Sequence, residues 1–171
     1  MRLAIEISDA VRQSIPDEIP LFFRVSSTDN IENGWSIEDS VKLAKELKQV
    51  GVDLIDCSSG GISGAATAAA GKRMPGYQVP FAAKIKQKAK VMTMAVGLIT
   101  HPDQANQIIE SEQADLVAVA REALFNPMWA AHAAQYLHQD KQFSLWPKQS
   151  RWWLERRERS SEFYKPELNS D

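Results

Sequence analysis

Apolar residues in this chain fall into short runs that alternate with longer stretches of helical spacing. The first such stretch, residues 2–14 (RLAIEISDAVRQS), is amphipathic and predicts a helix ahead of everything else. PLFFRVSS (20–27) is a β-rich apolar run that Pro20 can open as a strand. SIEDSVKLAKELKQVG follows, with Val41, Leu43, Ala44 and Leu47 at helical spacing, Ser36 placed as N-cap and Gly51 as the stop. The same alternation then repeats. VDLIDCSSG (52–60) reads as a strand, VPFAAKIKQKAK (79–90) as a helix and VMTMAVG (91–97) as a strand. HPDQANQIIESEQ (101–113) reads as a helix with Pro102 in its first turn, ADLVAVA (114–120) as a strand, and NPMWAAHAAQYLHQ (126–139) as a helix.

Strand and helix thus alternate four times, and the strands lack strict polar/apolar alternation. That pattern predicts an α/β fold of parallel strands buried on both faces and joined by right-handed crossovers. Four βα units are about half of a closed TIM (β/α)8 barrel. Such a half leaves two open edges and an exposed apolar inner face. Three solutions are open: another chain covers the face, the piece pairs with itself, or the sheet is doubly wound in the flavodoxin manner. The stretch SSGGISGAATAAAG is glycine-rich but lacks G-x-G-x-x-G spacing. It reads as a mobile βα loop over the active face, or alternatively as a low-complexity insert. Residues 1–139 are expected to form the half-barrel, and residues 140–171 an aromatic and basic tail.

Composition narrows the class. A chain of 171 residues is one domain's worth, and its net charge of −2 gives no reason to expect nucleic acid or an anionic membrane as partner. The one cysteine, Cys57, excludes an internal disulfide framework and fits a reducing compartment. No apolar run approaches the ~18 residues that cross a bilayer, and the acid-bearing N-terminus is neither signal nor transit peptide. A cytoplasmic, soluble domain is expected. No clustered His/Cys pattern supports a metal site.

The chemistry collects at strand ends. Arg121 follows an apolar strand, where a cation is costly unless an anion waits there. A guanidinium there can grip phosphate oxygens in bidentate fashion. Gly97 lies where the preceding strand turns toward its helix, and a missing side chain lets backbone N–H groups approach an anion. Both also have plain readings, Gly97 as a turn residue and Arg121 as the ion-pair partner of Glu122 or Asp115. Arg24, inside the first strand, either pairs with Asp56 on the next strand or faces the electron-rich edge of a cofactor ring. His101 reads as a helix-start residue, His132 and His138 as helix-surface or packing residues, Tyr77 as packing, and Cys57 as a small buried thiol.

The segments PLFFRVSSTD, GVDLIDCSSGG, PGYQVPFAAKIK, AVGLIT and ADLVAVAREALFNP, with the aromatic-rich tail, resemble the C-terminal half of the Old Yellow Enzyme family. The likeness is greatest to its bacterial, YqjM-like branch of FMN-dependent ene-reductases, and runs from about residue 1 to 150. The resemblance implies a (β/α)8 barrel in which these segments are strands five to eight. It implies that Arg24 lies against the N1/C2-carbonyl edge of FMN, and that the backbone at Gly97 and Ala120, with the Arg121 side chain, holds the FMN phosphate. NAD(P)H is the implied electron donor and an α,β-unsaturated carbonyl compound the implied substrate.

Two departures qualify the carry-over. The family's glycine before the phosphate arginine is Ala120 here, a modest change where only the N–H is used. The tail SLWPKQSRWWLERRERS does not cleanly reproduce the segment that, in this branch, reaches a neighbouring subunit's active site, so Arg151, Trp152 and Trp153 are interface candidates. The family's substrate-binding histidine pair and proton-delivering tyrosine belong to its N-terminal half and map to nothing here. No catalytic residue is therefore expected in this chain, which is expected to need a companion N-terminal half-barrel or to self-associate. A non-catalytic flavin- or phosphate-binding half-barrel is the alternative, and a ligand-free remnant stable only as an oligomer is a third reading.

Overall fold

The computed structural model describes residues 1–60 and 73–160. The expected loop over the active face lies almost wholly outside the described residues. The chain divides into two compact units, Met1–Arg121 and Glu122–Asp171.

The first unit opens with α1 (Arg2–Ser14), then alternates β1 (Phe22–Ser26), α2 (Ile37–Gln49), β2 (Leu54–Ser58), α3 (Val79–Ala89), β3 (Met92–Ala95), α4 (Pro102–Glu110) and β4 (Leu116–Val117). All pairings are parallel, and the strands lie in sequence order β1-β2-β3-β4. An order that never reverses excludes the doubly wound alternative, which needs a switch point. It is the order of a barrel segment.

The local signals act as their chemistry dictates. Ser36 caps α2 through a capping box: its hydroxyl accepts the Asp39 N–H, and the Asp39 carboxylate accepts the Ser36 N–H. Gly51, at φ +88°, ends that helix in the left-handed region, and the Arg12 side chain of α1 lies where its Cβ would be. Two equivalent aspartates set the strand starts. Asp53 accepts the Leu21 N–H at 2.7 Å while its own N–H donates to the Leu21 carbonyl. Asp115 repeats this with Thr93, accepting at 2.8 Å, and also pairs with Lys86 at 3.0 Å.

The helices cover one face of the sheet. Val25, Ile55, Cys57, Thr93 and Ala95 are buried there, and Ala44 and Leu47 of α2 and Ala82 and Ile85 of α3 are buried as well. The other face carries Phe22, Arg24, Asp56, Met92 and Leu116. Phe22, Met92 and Leu116 are 47%, 51% and 40% exposed. Burial on both faces, expected of every strand, therefore holds along Leu54–Cys57 of β2 alone. The exposure of Phe22, Met92 and Leu116 leaves that face of the sheet open.

The end of the fourth βα unit also differs from expectation. The strand expected at 114–120 shortens to Leu116–Val117, with one further ladder bond from the Ala118 N–H to the Ala95 carbonyl. As the sheet's edge it has a neighbour on one side only. Arg121 consequently heads a short helix, α5 (Arg121–Phe125), instead of ending a strand. The helix expected at 126–139 contracts to α6 (Trp129–Tyr136), because Pro127 disfavours helical backbone at Asn126. The tail adds α7 (Lys148–Arg159), which the sequence pattern did not announce.

Candidate functional site

Parallel βα folds gather ligands at the carboxyl ends of their strands, and the candidate residues of the first unit lie there or on the open inner face. Arg24 and Asp56 face each other in register across β1 and β2. Arg24 Nη1 donates to Asp56 Oδ2 at 2.6 Å, so the ion pair of the structural reading is present. The pair is lopsided. The Arg24 side chain is 57% exposed and that of Asp56 10% exposed.

Gly97 follows β3 with φ +115°. A Cβ there would come within 3.0 Å of both the Tyr77 ring and Gln78 Oε1. Its carbonyl accepts the Gly76 N–H at 2.8 Å. The physical need for glycine is therefore the close approach of the Tyr77–Gln78 segment and the left-handed backbone, a reason the sequence reading did not contain. Ala120 and Arg121, after β4, are exposed. Asp115 is occupied by Lys86 and the Thr93 N–H, and Arg121 forms no ion pair among the described residues. The backbone N–H groups of Gly97, Ala120 and Arg121 likewise donate to no described residue.

Free N–H groups and an unpaired guanidinium on adjacent strand ends are the donor set that phosphate oxygens require. The residues present fit the phosphate end of a nucleotide. Arg24 lies on β1, three strand spacings of about 4.8 Å from β4. Arg24 thus lies on one edge strand of the sheet, and Arg121 follows the other in the chain.

Gln78, which the sequence reading did not single out, lies against Gly97. It is 3% exposed and donates through Nε2 to Ser59 Oγ at 2.8 Å, tying the end of β2 to the segment against Gly97. Its position directly before the Val79-Pro80 helix start was the available signal. A groove of about 1120 Å³ between α3 and α4, lined by Val79, Lys86, Gln107 and Ile108, includes none of the expected site residues.

The other side chains singled out in the sequence have the following surroundings. His101 N-caps α4, its Nδ1 accepting the Asp103 N–H. Cys57 is fully buried, and burial, reinforced by the Asp56 charge, pushes its thiol up to about 12, so it is neutral and unreactive. In the second unit His132 contacts Asn126 Oδ1 at 2.9 Å and meets the Trp146 ring edge-on. On α7, Trp152 and Trp153 are 47% and 65% exposed, and the Arg156 guanidinium lies 3.7 Å from the Trp152 ring centroid. Among the described residues no group of three His, Cys, Asp or Glu side chains is arranged to hold a metal, and no helix is long and apolar enough to cross a membrane.

Residues 1–140 match the sequence model of the NADH:flavin oxidoreductase / NADH oxidase family, and the chain belongs to that family. The chain is 48% identical to the NADPH dehydrogenase of Halalkalibacterium halodurans over 115 residues, which are 67% of this chain and 33% of that protein. It is 48% identical to that of a Geobacillus species over 132 residues (77% and 37%), and 43% identical to that of Bacillus subtilis over 137 residues (80% and 39%). The chain thus spans little more than a third of the length of these relatives. Partial coverage agrees with a partial barrel.

Proposed function

We propose that this chain is the FMN-binding C-terminal half, strands five to eight, of an NAD(P)H-dependent ene-reductase. The observation that carries the proposal is the cluster of unpaired donors at Gly97, Ala120 and Arg121, on a chain of a flavin oxidoreductase family. FMN, where bound, would supply hydride-transfer chemistry between NAD(P)H and the β-carbon of an α,β-unsaturated carbonyl compound. The chain's own residues bind and orient. The N–H groups of Gly97 and Ala120 and the Arg121 guanidinium hold the phosphate end, and Arg24 faces the N1/C2-carbonyl edge, where positive charge favours negative charge on the reduced ring.

The groups that bind the substrate carbonyl and deliver the proton belong to the other half of the barrel. Its most direct support is the uncovered inner face, where Phe22, Met92 and Leu116 would otherwise stand in water. That half comes from the same polypeptide, a companion chain or a second copy of this one. Purified chain tests the proposal. Flavin absorbance near one equivalent is expected, with no turnover of a simple enone by NADPH until the complementary half is supplied. Turnover by the chain alone would refute the half-enzyme reading, and absence of flavin binding would refute the cofactor site. Flavin bound without turnover, even after the complementary half is added, would mark a non-catalytic binding half-barrel.

A further inference from the structure

The Arg24–Asp56 pair has a geometry that a purely structural ion pair does not need. Asp56 sits on the inner face of β2 between Arg24 on β1 and Met94 on β3, its two register partners. Met94 offers no hydrogen-bond donor, so Arg24 is the side chain that meets the carboxylate. Arginine–carboxylate pairs frequently close as a two-pronged fork that satisfies both carboxylate oxygens. Here one prong is made. Asp56 Oδ2 takes Arg24 Nη1, while Asp56 Oδ1 is buried with no donor. A buried carboxylate oxygen left bare is costly. The Arg24 side chain meanwhile stays more than half exposed on the open face, and Nη1 is its one nitrogen with a hydrogen bond to the carboxylate.

We propose that Asp56 is a positioning residue for Arg24: it anchors one end of the guanidinium and sets how much positive charge reaches the electron-rich edge of a bound flavin. The inference rests on the FMN reading above and deepens it. An anionic carboxylate behind Arg24 offsets part of its charge. Removing that charge while keeping the hydrogen bond leaves the guanidinium in place with a stronger field. The reduced cofactor, which carries negative charge, gains most from the change.

The test compares wild type, Asp56→Asn and Asp56→Glu of the 171-residue chain, titrated with oxidised and with dithionite-reduced FMN, alongside thermal melting. For Asp56→Asn, which keeps an acceptor for Nη1, oxidised FMN should bind as in wild type. Reduced FMN should bind about tenfold more tightly, which is about 30 mV in the two-electron potential. Asp56→Glu keeps the charge but displaces the anchor by a methylene, so reduced FMN should lose more affinity than oxidised FMN, at an unchanged melting temperature. That second variant decides the matter if Asp56→Asn does not fold. Equal reduced-to-oxidised affinity ratios in wild type and Asp56→Asn, or in its absence an unaffected Asp56→Glu, would overturn the inference. A wild-type chain that binds neither form overturns the FMN reading together with this inference. A reduced-to-oxidised affinity ratio that persists unchanged in Arg24→Ala overturns this inference while leaving the FMN reading standing.

Discussion

The Tyr77 ring rests against Gly97, so close that a methyl group at 97 would stand 3.0 Å from Cε1. The residue also has φ +115°, where a side chain strains the backbone. Gly97→Ala is therefore expected to destabilise the fold by about 1–3 kcal/mol, through strain and displacement of Tyr77. The midpoint of urea unfolding checks this. A midpoint equal to wild type would show that the Tyr77 segment yields freely.

Asp115 holds the start of β3 through the Thr93 N–H and also takes Lys86. Asp115→Ala should cost about 1–3 kcal/mol, because it leaves a backbone donor without its acceptor. Amide exchange at Thr93 should quicken by more than at the core of β2. Uniform quickening along the sheet would contradict a local role.

The Cys57 thiol, buried beside Asp56 and pushed up to about 12 from its ordinary 9.0, makes stability depend on pH in the alkaline range. The unfolded chain loses this proton first. The contribution is thus complete below 9.0 and is lost as pH rises from there toward about 12. On the acid side, Asp39 and Asp140 are held below their ordinary 3.8 by hydrogen bonds, Asp39 first by the Ser36 hydroxyl and Asp140 first by the Leu145 N–H. Their contribution is present above 3.8 and falls away as pH drops below it. Cys57→Ser should flatten the alkaline arm of a stability–pH curve without moving the acid arm. Native Cys57 should also resist thiol reagents at pH 8 and react fully once the chain is unfolded.

Arg121→Ala should weaken FMN retention by roughly ten- to hundredfold, the worth of a charge-assisted hydrogen bond. Arg24→Ala should instead change the flavin's potential more than its retention. Fluorescence titration and potentiometry separate the two, and equal, negligible effects would count against the assigned site.

Uncovered Phe22, Met92 and Leu116 predict self-association of the chain by itself. Sedimentation at increasing concentration should show a dimer or larger species. Phe22→Glu should shift the distribution toward monomer, and a monomer at all concentrations would oppose the prediction.

Periodicity was enough to place the elements of the first unit. The spacing of Val41, Leu43, Ala44 and Leu47 and the chemistry of Ser36 and Gly51 are local causes with local effects, and α2 appears where they put it. Arg24 and Asp56 could be named as neighbours because parallel strands of consecutive βα units pair in order. The extent of β4 was not legible: ADLVAVA has strand propensity throughout, but an edge strand extends only as far as its single neighbour supports it. Nor was α7, whose residues KQSRWWLERRER carry no apolar stripe and draw on the Arg151–Glu155 pair, 2.9 Å apart, one turn on.

By itself the sequence determined which segments become strand or helix and that the strands run parallel, since these follow from side-chain periodicity and connection length. Tertiary structure decided what each site residue touches. That Gly97 is shaped by Tyr77, that Asp56 meets Arg24 with one oxygen only, and that Arg121 heads a helix without an ion pair among the described residues, although Glu122 follows it, are matters of distance between strand ends and across neighbouring strands. Spacing along the chain carries no record of such distances, because they are set only when the sheet twists and the loops between its strands close.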